Sequence, residues 1–173
     1  MGGIAIVQKS ITEMDVDAIV NAANEGLLAG GGVCGAIFSA AGKDALQDAC
    51  DEIGHCDTGS AVATSGFALK AKYVIHAVGP RWHGGSEGEP ILLASSYERS
   101  LERARELGCR SIAFPLISSG IFGYPKEEAW QVALSTCNQW QTNNPAYDLD
   151  ITFCTISGSS TEQGQRILEE LGA

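Results

Sequence analysis

The chain has 173 residues, enough for one domain to bury its own core, and we expect residues 1–173 to form a single domain. Its formal net charge of −10 disfavours a nucleic-acid partner, although backbone amides can still hold one phosphorylated ligand. No apolar run is long enough to cross a bilayer, so we expect no membrane partner.

Short apolar or alternating runs predict six β-strands, at 4–7, 17–21, 60–65, 73–78, 111–115 and 150–156. The first nine residues, from Met1 to Lys9, have this strand pattern and lack the basic stretch and cleavage site of a secretory signal. Helical spacing predicts five helices, at 33–41, 44–53, 91–107, 126–140 and 161–171. Gly108 is the predicted end of the third helix, and Thr161 the predicted N-cap of the last.

Strands that alternate with helices predict an α/β sandwich, in which a sheet lies between helical layers. No helix separates the first strand from the second, which allows some antiparallel pairing of that first strand. The chain contains no linker rich in proline or serine and no internal repeat. The fold class predicted from the pattern is therefore α/β, in one unit.

The six cysteines include no Cys-x-x-Cys pair, and several lie in apolar patterns. Disulfide scaffolds are shorter and richer in cysteine, so we expect reduced thiols and a cytoplasmic setting. Cys50, His55 and Cys56 could suggest a metal site, but a fourth ligand at zinc-like spacing is missing. Ordinary packing explains these residues better, and we expect neither a metal nor a cofactor.

The segment from Asn21 to Gly42 carries the strongest functional signal. A buried strand ends in two asparagines, Asn21 and Asn24, and three glycines at 30–32 then precede a helix. Successive glycines can point several N–H groups into one concavity, and a helix N-terminus adds partial positive charge. This pattern indicates a pyrophosphate site, whereas a simple tight turn would need only one or two glycines. The spacing fits neither a Walker A loop nor a dinucleotide-binding fingerprint.

A second loop follows the strand at 111–115 and precedes the helix at 126–140. Its backbone amides from Ser119 to Phe122 could close over a pyrophosphate from the other side, while the Phe122 ring walls off a sugar. Ligands of open α/β sheets lie beyond the carboxyl ends of the strands, where both loops would emerge.

Four segments together resemble the signature blocks of the macrodomain family: Val20 to Asn24, Gly30 to Gly35, Val74 to Pro80 and Phe114 to Pro125. The resemblance implies a three-layer α/β/α sandwich with a mixed central sheet and a cleft for ADP-ribose. Members of the family recognise ADP-ribosyl groups or hydrolyse them from proteins, nucleic acids or O-acetyl-ADP-ribose.

The resemblance also implies which residues contact the ligand. Asn24 would hydrogen-bond the hydroxyls of the distal ribose, and Asn21 would brace the end of its strand. The implied ligand-binding set is Ser10, Ile11, Ala22, Asn24, Gly30, Gly31, Gly32, Val33, Cys34, Ser118, Ser119, Gly120, Ile121, Phe122 and Ile156. His76 lies in the middle of a predicted strand, where a hydrogen-bonded core histidine is the better interpretation.

Two departures from the family pattern fall in the first loop. The best-known hydrolases of the family carry an aspartate where this chain has Cys34 and a histidine where it has Phe38. A carboxylate there would orient or deprotonate a water, and without it a phosphate oxygen of the substrate could do so. Cys34 begins a helix beside an anion site, so it is a hypothetical nucleophile or redox-sensitive gate; the alternative is a small space-filling residue. Glu25 is the carboxylate nearest to Asn24 in sequence.

Two further departures fall where the family binds adenine. Ser10 replaces an aspartate that accepts a hydrogen bond from the adenine amine, and Ile156 replaces an aromatic residue that often stacks on the base. Loss of a charge-assisted hydrogen bond costs about 1 kcal/mol. We therefore expect measurable but weakened binding of ADP-ribose.

Two functions compete. The first is hydrolysis of ADP-ribosyl linkages on mono-ADP-ribosylated protein or O-acetyl-ADP-ribose, with Asn24 and Cys34 as the candidate catalytic residues. The second is a non-catalytic reader that binds ADP-ribose. A third function, binding of RNA, is disfavoured by the acidic charge and the weakened adenine end. We favour the enzyme and expect a monomer.

Overall fold

The computed structural model describes residues 2–172, so Met1 and Ala173 lie outside the described residues. All predicted strands and helices are present, with ends that differ from the predictions by a few residues. The strands are β1 Ile4–Gln8, β2 Ala18–Ala22, β3 Ala61–Ser65, β4 Tyr73–Ala77, β5 Ser111–Phe114 and β6 Asp150–Thr155. The helices are α1 Gly32–Ala41, α2 Lys43–Ile53, α3 Glu89–Glu106, α4 Lys126–Asn143 and α5 Gly158–Leu171, with a short 3-10 helix at Ile11–Glu13.

The six strands form one mixed sheet in the order β1-β6-β5-β2-β4-β3. The antiparallel pairing that the sequence allowed for the first strand does not occur, because β1 lies parallel to β6 with Ile4 opposite Ile151. β1 and β2 are consecutive in the chain but are not neighbours in the sheet. The antiparallel pair is β3 with β4, which residues 66–72 join as a hairpin.

Alternate residues of the strands enter two separate cores. In β5, Ile112 and Phe114 pack into the core beneath α3, α4 and α5, whereas Ala113 faces the core beneath α1 and α2. Both faces of β5 are therefore apolar and covered. The predicted three-layer α/β/α sandwich with a mixed sheet is confirmed.

The helix ends follow local capping chemistry. α3 begins before its predicted start, since Pro90 occupies the first turn, and it ends just before Gly108, whose φ is +74°. The predicted N-cap of α5 is wrong. Ser157 is the cap, because its hydroxyl accepts a hydrogen bond from the Ser160 N–H at 3.4 Å, and Thr161 lies inside the helix.

All six cysteines are free and buried, which confirms the expected unpaired thiols. The Cys50 sulfur lies 3.8 Å from Nε2 of His76, and burial raises the pKa of Cys50 to about 11. His55 is exposed and its Nε2 lies 2.8 Å from Asp57, whereas Cys50 and Cys56 are buried. Within residues 2–172, no helix is long and apolar enough to cross a membrane.

Candidate functional site

Five strands point their carboxyl ends toward the same edge of the sheet, because β1, β6, β5, β2 and β4 are mutually parallel. Ligands of such sheets bind at this edge. The structure brings the predicted ligand-binding segments together there: Ser10 and Ile11 after β1, Ala22 to Cys34 from the end of β2 into α1, Ser118 to Phe122 after β5, and Ile156 after β6.

The carboxamide of Asn24 organises the loop between β2 and α1. Its Nδ2 donates to the Leu28 carbonyl and its Oδ1 accepts from the Leu28 N–H, both at 2.9 Å. Each amide atom keeps one further hydrogen-bonding position, because the nitrogen has a second proton and the oxygen a second lone pair. Asn24 is therefore held in place by its own loop while it can still contact a ligand.

Gln47 on α2 braces the same loop, and sequence reasoning did not identify it. Its side chain accepts from the Ala29 N–H at 2.9 Å and donates to the Leu27 carbonyl at 3.0 Å. Leu27 has a φ of +56°, which non-glycine residues rarely adopt. A side chain from α2 therefore holds the loop, whereas the sequence pattern of α2 predicts only which residues face the core.

The glycines before α1 have two separate roles. A Cβ on Gly35 would lie 2.5 Å from the Gly30 carbonyl oxygen, so Gly35 permits close packing of the loop on the helix. Gly31 and Gly32 face open space, since a Cβ on either meets nothing within 4 Å, and Gly32 has a φ of +58°. They present bare backbone at the positive end of a helix dipole, which favours an anion.

The Cys34 thiol is buried, with 8% of the residue exposed. Its sulfur donates to the Leu28 carbonyl and accepts from Nδ2 of Asn21, both at 3.7 Å. The Leu28 carbonyl therefore receives hydrogen bonds from both Asn24 and Cys34. This geometry favours the interpretation that Cys34 fills space and holds the loop, while its chemical role stays a prediction.

A buried polar chain continues from Asn21 into the core. Nδ2 of Asn21 lies 3.1 Å from Nδ1 of His76, and Nε2 of His76 lies 3.0 Å from the Thr64 hydroxyl. Because Thr64 donates to the Ser65 carbonyl, it accepts from Nε2–H, and Nδ1 then accepts from Asn21. Burial lowers the pKa of His76 to about 4, so the ring is neutral. The prediction of a hydrogen-bonded core histidine is confirmed.

The loop after β5 forms the other wall of the cleft. Ser118 is buried at a φ of +68°, a strained conformation of the kind that gathers at functional sites. The Tyr124 N–H donates to the Ser118 carbonyl at 2.9 Å, and the Tyr97 hydroxyl accepts from the Ile117 N–H at 2.9 Å. Gly120 faces open space. The loop is held from below and leaves its outer backbone free.

Residues after β4 support this loop from the side, and sequence reasoning did not assign them a role. Gly79 lies against Ser118 so closely that a Cβ there would collide with the serine hydroxyl. The Trp82 N–H donates to the Phe122 carbonyl at 2.8 Å, and the Arg81 guanidinium lies 4.4 Å from the centre of the Phe122 ring. The Val-Gly-Pro segment at 78–80 could have predicted this support, because a glycine after a buried strand indicates that another part of the chain approaches its backbone closely.

The family model described as Macro domain matches residues 20–133. The chain belongs to the macrodomain family. A Macro domain-containing protein of Chlorobaculum tepidum is 48% identical over 165 residues, which cover 95% of each chain. An O-acetyl-ADP-ribose deacetylase of Cronobacter sakazakii is 50% identical over 148 residues, covering 83% of this chain and 82% of the relative.

Solved macrodomain structures have the same fold. The Oceanobacillus iheyensis macrodomain with ADP is 38% identical and has a TM-score of 0.88, covering 96% of this chain and 90% of its own. The Trypanosoma brucei macrodomain in complex with ADP-ribose is 34% identical and has a TM-score of 0.87, covering 94% of this chain and 68% of its own. The loops described above thus belong to a macrodomain.

The outer rim of the macrodomain cleft carries exposed apolar side chains. Ile121 is 86% exposed, Ile156 is 84% exposed and Val33 is 37% exposed. The hydroxyls of Ser10 and Thr12 are hydrogen-bonded to each other at 2.9 Å. The Ile11 side chain is buried in the core, so the Ile11 backbone is the part that can contact a ligand. The predicted adenine end therefore offers one hydroxyl and aliphatic surfaces.

A cleft of about 360 Å³ lies beside Asn24 and Phe122 in this macrodomain, next to the space between the two loops. Sequence reasoning did not predict this neighbouring cleft. Its lining includes the carboxylates of Glu25, Glu87 and Glu89, the Arg81 guanidinium and the His83 imidazole.

One of these carboxylates shapes the wall of the cleft. Burial opposes the ionisation of Glu89, but backbone N–H groups, including those of His83, Gly85 and Glu87, outweigh it and lower its pKa to about 2. The three N–H groups donate to Glu89 at 2.8, 2.9 and 2.6 Å respectively. The ionised side chain thereby fixes residues 83–87, part of which lines the cleft.

Proposed function

We propose that this macrodomain binds ADP-ribose between the β2–α1 and β5–α4 loops. The observation that carries the proposal is the open backbone of Gly31, Gly32 and Gly120, which faces the edge where Asn24 is clamped. Bare N–H groups at a helix N-terminus suit a pyrophosphate, and the free positions of the Asn24 amide suit ribose hydroxyls. The related structures that hold ADP and ADP-ribose support this ligand.

We further propose that the bound ADP-ribosyl group is hydrolysed from mono-ADP-ribosylated protein or O-acetyl-ADP-ribose. Asn24 positions the distal ribose. A phosphate oxygen of the substrate activates the attacking water, because position 34 carries a thiol that already donates to the Leu28 carbonyl. Relatives named O-acetyl-ADP-ribose deacetylase at 50% identity support a hydrolase.

A non-catalytic reader of ADP-ribose is the second candidate. Cys34 supplies no carboxylate, and the Glu25 carboxylate is partly engaged, since one oxygen accepts from the Thr58 N–H and hydroxyl at 3.1 Å each. A site that binds well but lacks a general base would hold the ligand without cutting it.

Calorimetry with ADP-ribose and a turnover assay on mono-ADP-ribosylated protein and O-acetyl-ADP-ribose separate these functions. Asn24→Ala should weaken ADP-ribose binding about tenfold, the loss of about 1.4 kcal/mol. Asn143→Ala is the matched control, because Asn143 ends α4 and bonds only Gln139 through its side chain within the described chain. Binding without turnover identifies the reader. Absence of binding at millimolar ADP-ribose would reject both functions.

A further inference from the structure

We propose that the cleft beside Asn24 and Phe122 receives the acceptor group attached to the distal ribose and selects a cationic one, the guanidinium of an ADP-ribosylated arginine. The inference rests on the proposed binding of ADP-ribose. It adds the class of substrate, which the β2–α1 and β5–α4 loops alone do not specify.

The position of the cleft supports an acceptor site. Asn24, the residue proposed to position the distal ribose, lines it together with Phe122, the residue expected to wall off a sugar. A group bonded to that ribose therefore extends into the cleft. Its volume of about 360 Å³ lies within the range of ligand pockets, roughly 300–1,000 Å³. An acetyl group would leave most of this space empty, whereas a long side chain fills it.

The charge of the lining is negative. Three carboxylates, those of Glu25, Glu87 and Glu89, line the cleft with one guanidinium, that of Arg81, and the exposed imidazole of His83, although Glu89 is held by backbone N–H groups. A cleft with this excess of carboxylates attracts a cation.

Two of these carboxylates keep an oxygen that can meet a cation. Glu25 and Glu87 are exposed, and neither forms an ion pair with another described residue. Glu25 is also preoriented, because Thr58 fixes one of its oxygens and the Cys56 N–H holds its backbone carbonyl at 2.9 Å. The Arg81 guanidinium lies over the Phe122 ring. Among the described residues, it forms no ion pair with Glu25 or Glu87.

An arginine acceptor matches this lining better than the alternatives. A guanidinium presents donors in a planar fork that pairs with carboxylates in two hydrogen bonds at once. A serine acceptor is neutral and short. Hydrolysis of a glutamate ester releases a carboxylate, which the cleft repels, and a nucleic-acid acceptor brings phosphates of the same sign.

The reaction balances without a co-reactant. The oxygen of water forms a bond to the anomeric carbon of the distal ribose, and the bond from that carbon to the guanidine nitrogen breaks. One proton of the water passes to the departing nitrogen, which leaves as part of a neutral or protonated guanidine according to its charge before cleavage. Glu25 and Glu87 hold that group throughout.

The test compares one peptide sequence carrying ADP-ribose on arginine, on serine or on glutamate. Dissociation constants and kcat/KM are measured for each peptide, together with the affinity for free ADP-ribose. We expect the arginine-linked peptide to be favoured at least tenfold over the serine-linked one, and the preference to shrink as salt screens the carboxylates.

Glu25→Gln, Glu87→Gln and the double variant should each reduce this preference, the double variant by about tenfold, while affinity for free ADP-ribose stays within twofold. Glu25→Gln keeps an acceptor for Thr58, so the loop is retained. Glu169→Gln on α5, which is also exposed, is the matched control. Normal ADP-ribose binding without an arginine preference, or with a preference that survives in the double variant, overturns the inference alone. Failure to bind free ADP-ribose overturns the proposed function with it.

Discussion

Replacement of His76 by glutamine should remove a specific acid sensitivity of the fold. The imidazole is fully buried between Asn21 and Thr64, and burial lowers its pKa from 6.5 to about 4. The unfolded chain therefore takes up a proton near pH 6.5 that the folded chain refuses until about pH 4. Folding stability falls as the pH drops through this window, because the unfolded state binds more protons.

The size of this loss follows from the width of the window. A pKa difference of this size corresponds to about 3 kcal/mol, at about 1.4 kcal/mol for each pH unit. Total stabilities of domains are roughly 5–15 kcal/mol, so the loss should be easy to measure. Glutamine can accept from Asn21 and donate to Thr64, and it does not titrate.

The assay is urea unfolding of both proteins at intervals from pH 7.5 to pH 4. The carboxylates and the exposed histidines are common to both proteins, so their contributions cancel in the difference between the two curves. We expect the wild-type protein to lose about 3 kcal/mol more than His76→Gln between pH 6.5 and pH 4. A difference that stays constant across this range would show that the imidazole is not held neutral as the structure indicates.

Three further changes test other supports of the site. Gly35→Ala should destabilise the protein by about 1–3 kcal/mol in urea unfolding and weaken ADP-ribose binding, because its Cβ would press on the Gly30 carbonyl; an unchanged protein would contradict that contact. Tyr97→Phe leaves the buried Ile117 N–H without its acceptor and should cost about 1–3 kcal/mol of unfolding free energy, with no such cost if the loop repairs itself. Glu89→Gln should lower the melting temperature at pH 7, because the variant lacks the ionised carboxylate that accepts from the backbone. The difference in melting temperature between the two proteins should shrink as the pH falls from about 4.5 toward about 2, because the lowered pKa of Glu89 lies at about 2. A difference independent of pH would contradict this role.

The sequence was sufficient to predict the layers of the fold and the two loops of the cleft. Strands such as β5 read as continuous apolar runs, because both faces of the central strands are buried, and helices such as α3 show an apolar stripe. The parallel order then carries every loop that follows such a strand to one edge. The positions of Gly31 and Ser119 at that edge thus follow from the pattern of the elements.

The supports between elements could not be predicted in this way. Gln47 braces the β2–α1 loop from a neighbouring helix, and Glu89 folds back on the loop before it. Both are polar residues in helices, where the pattern identifies only solvent-facing positions. The antiparallel edge and the Ser157 cap were missed for a related reason, since each depends on a neighbour that spacing along the chain does not specify.

Cys34 links the two questions that the site raises, affinity and chemistry. The space around its sulfur is built for a small donor, because the Leu28 carbonyl and the Asn21 amide occupy both sides of it. A carboxylate in the same place could accept from Asn21 but would face the Leu28 carbonyl with like partial charge. The thiol therefore shares the Leu28 carbonyl with Asn24 and places no carboxylate beside the proposed pyrophosphate site. Because position 34 holds a thiol where the family's best-known hydrolases place their acid, the proposed hydrolysis draws its base from a phosphate oxygen of the substrate.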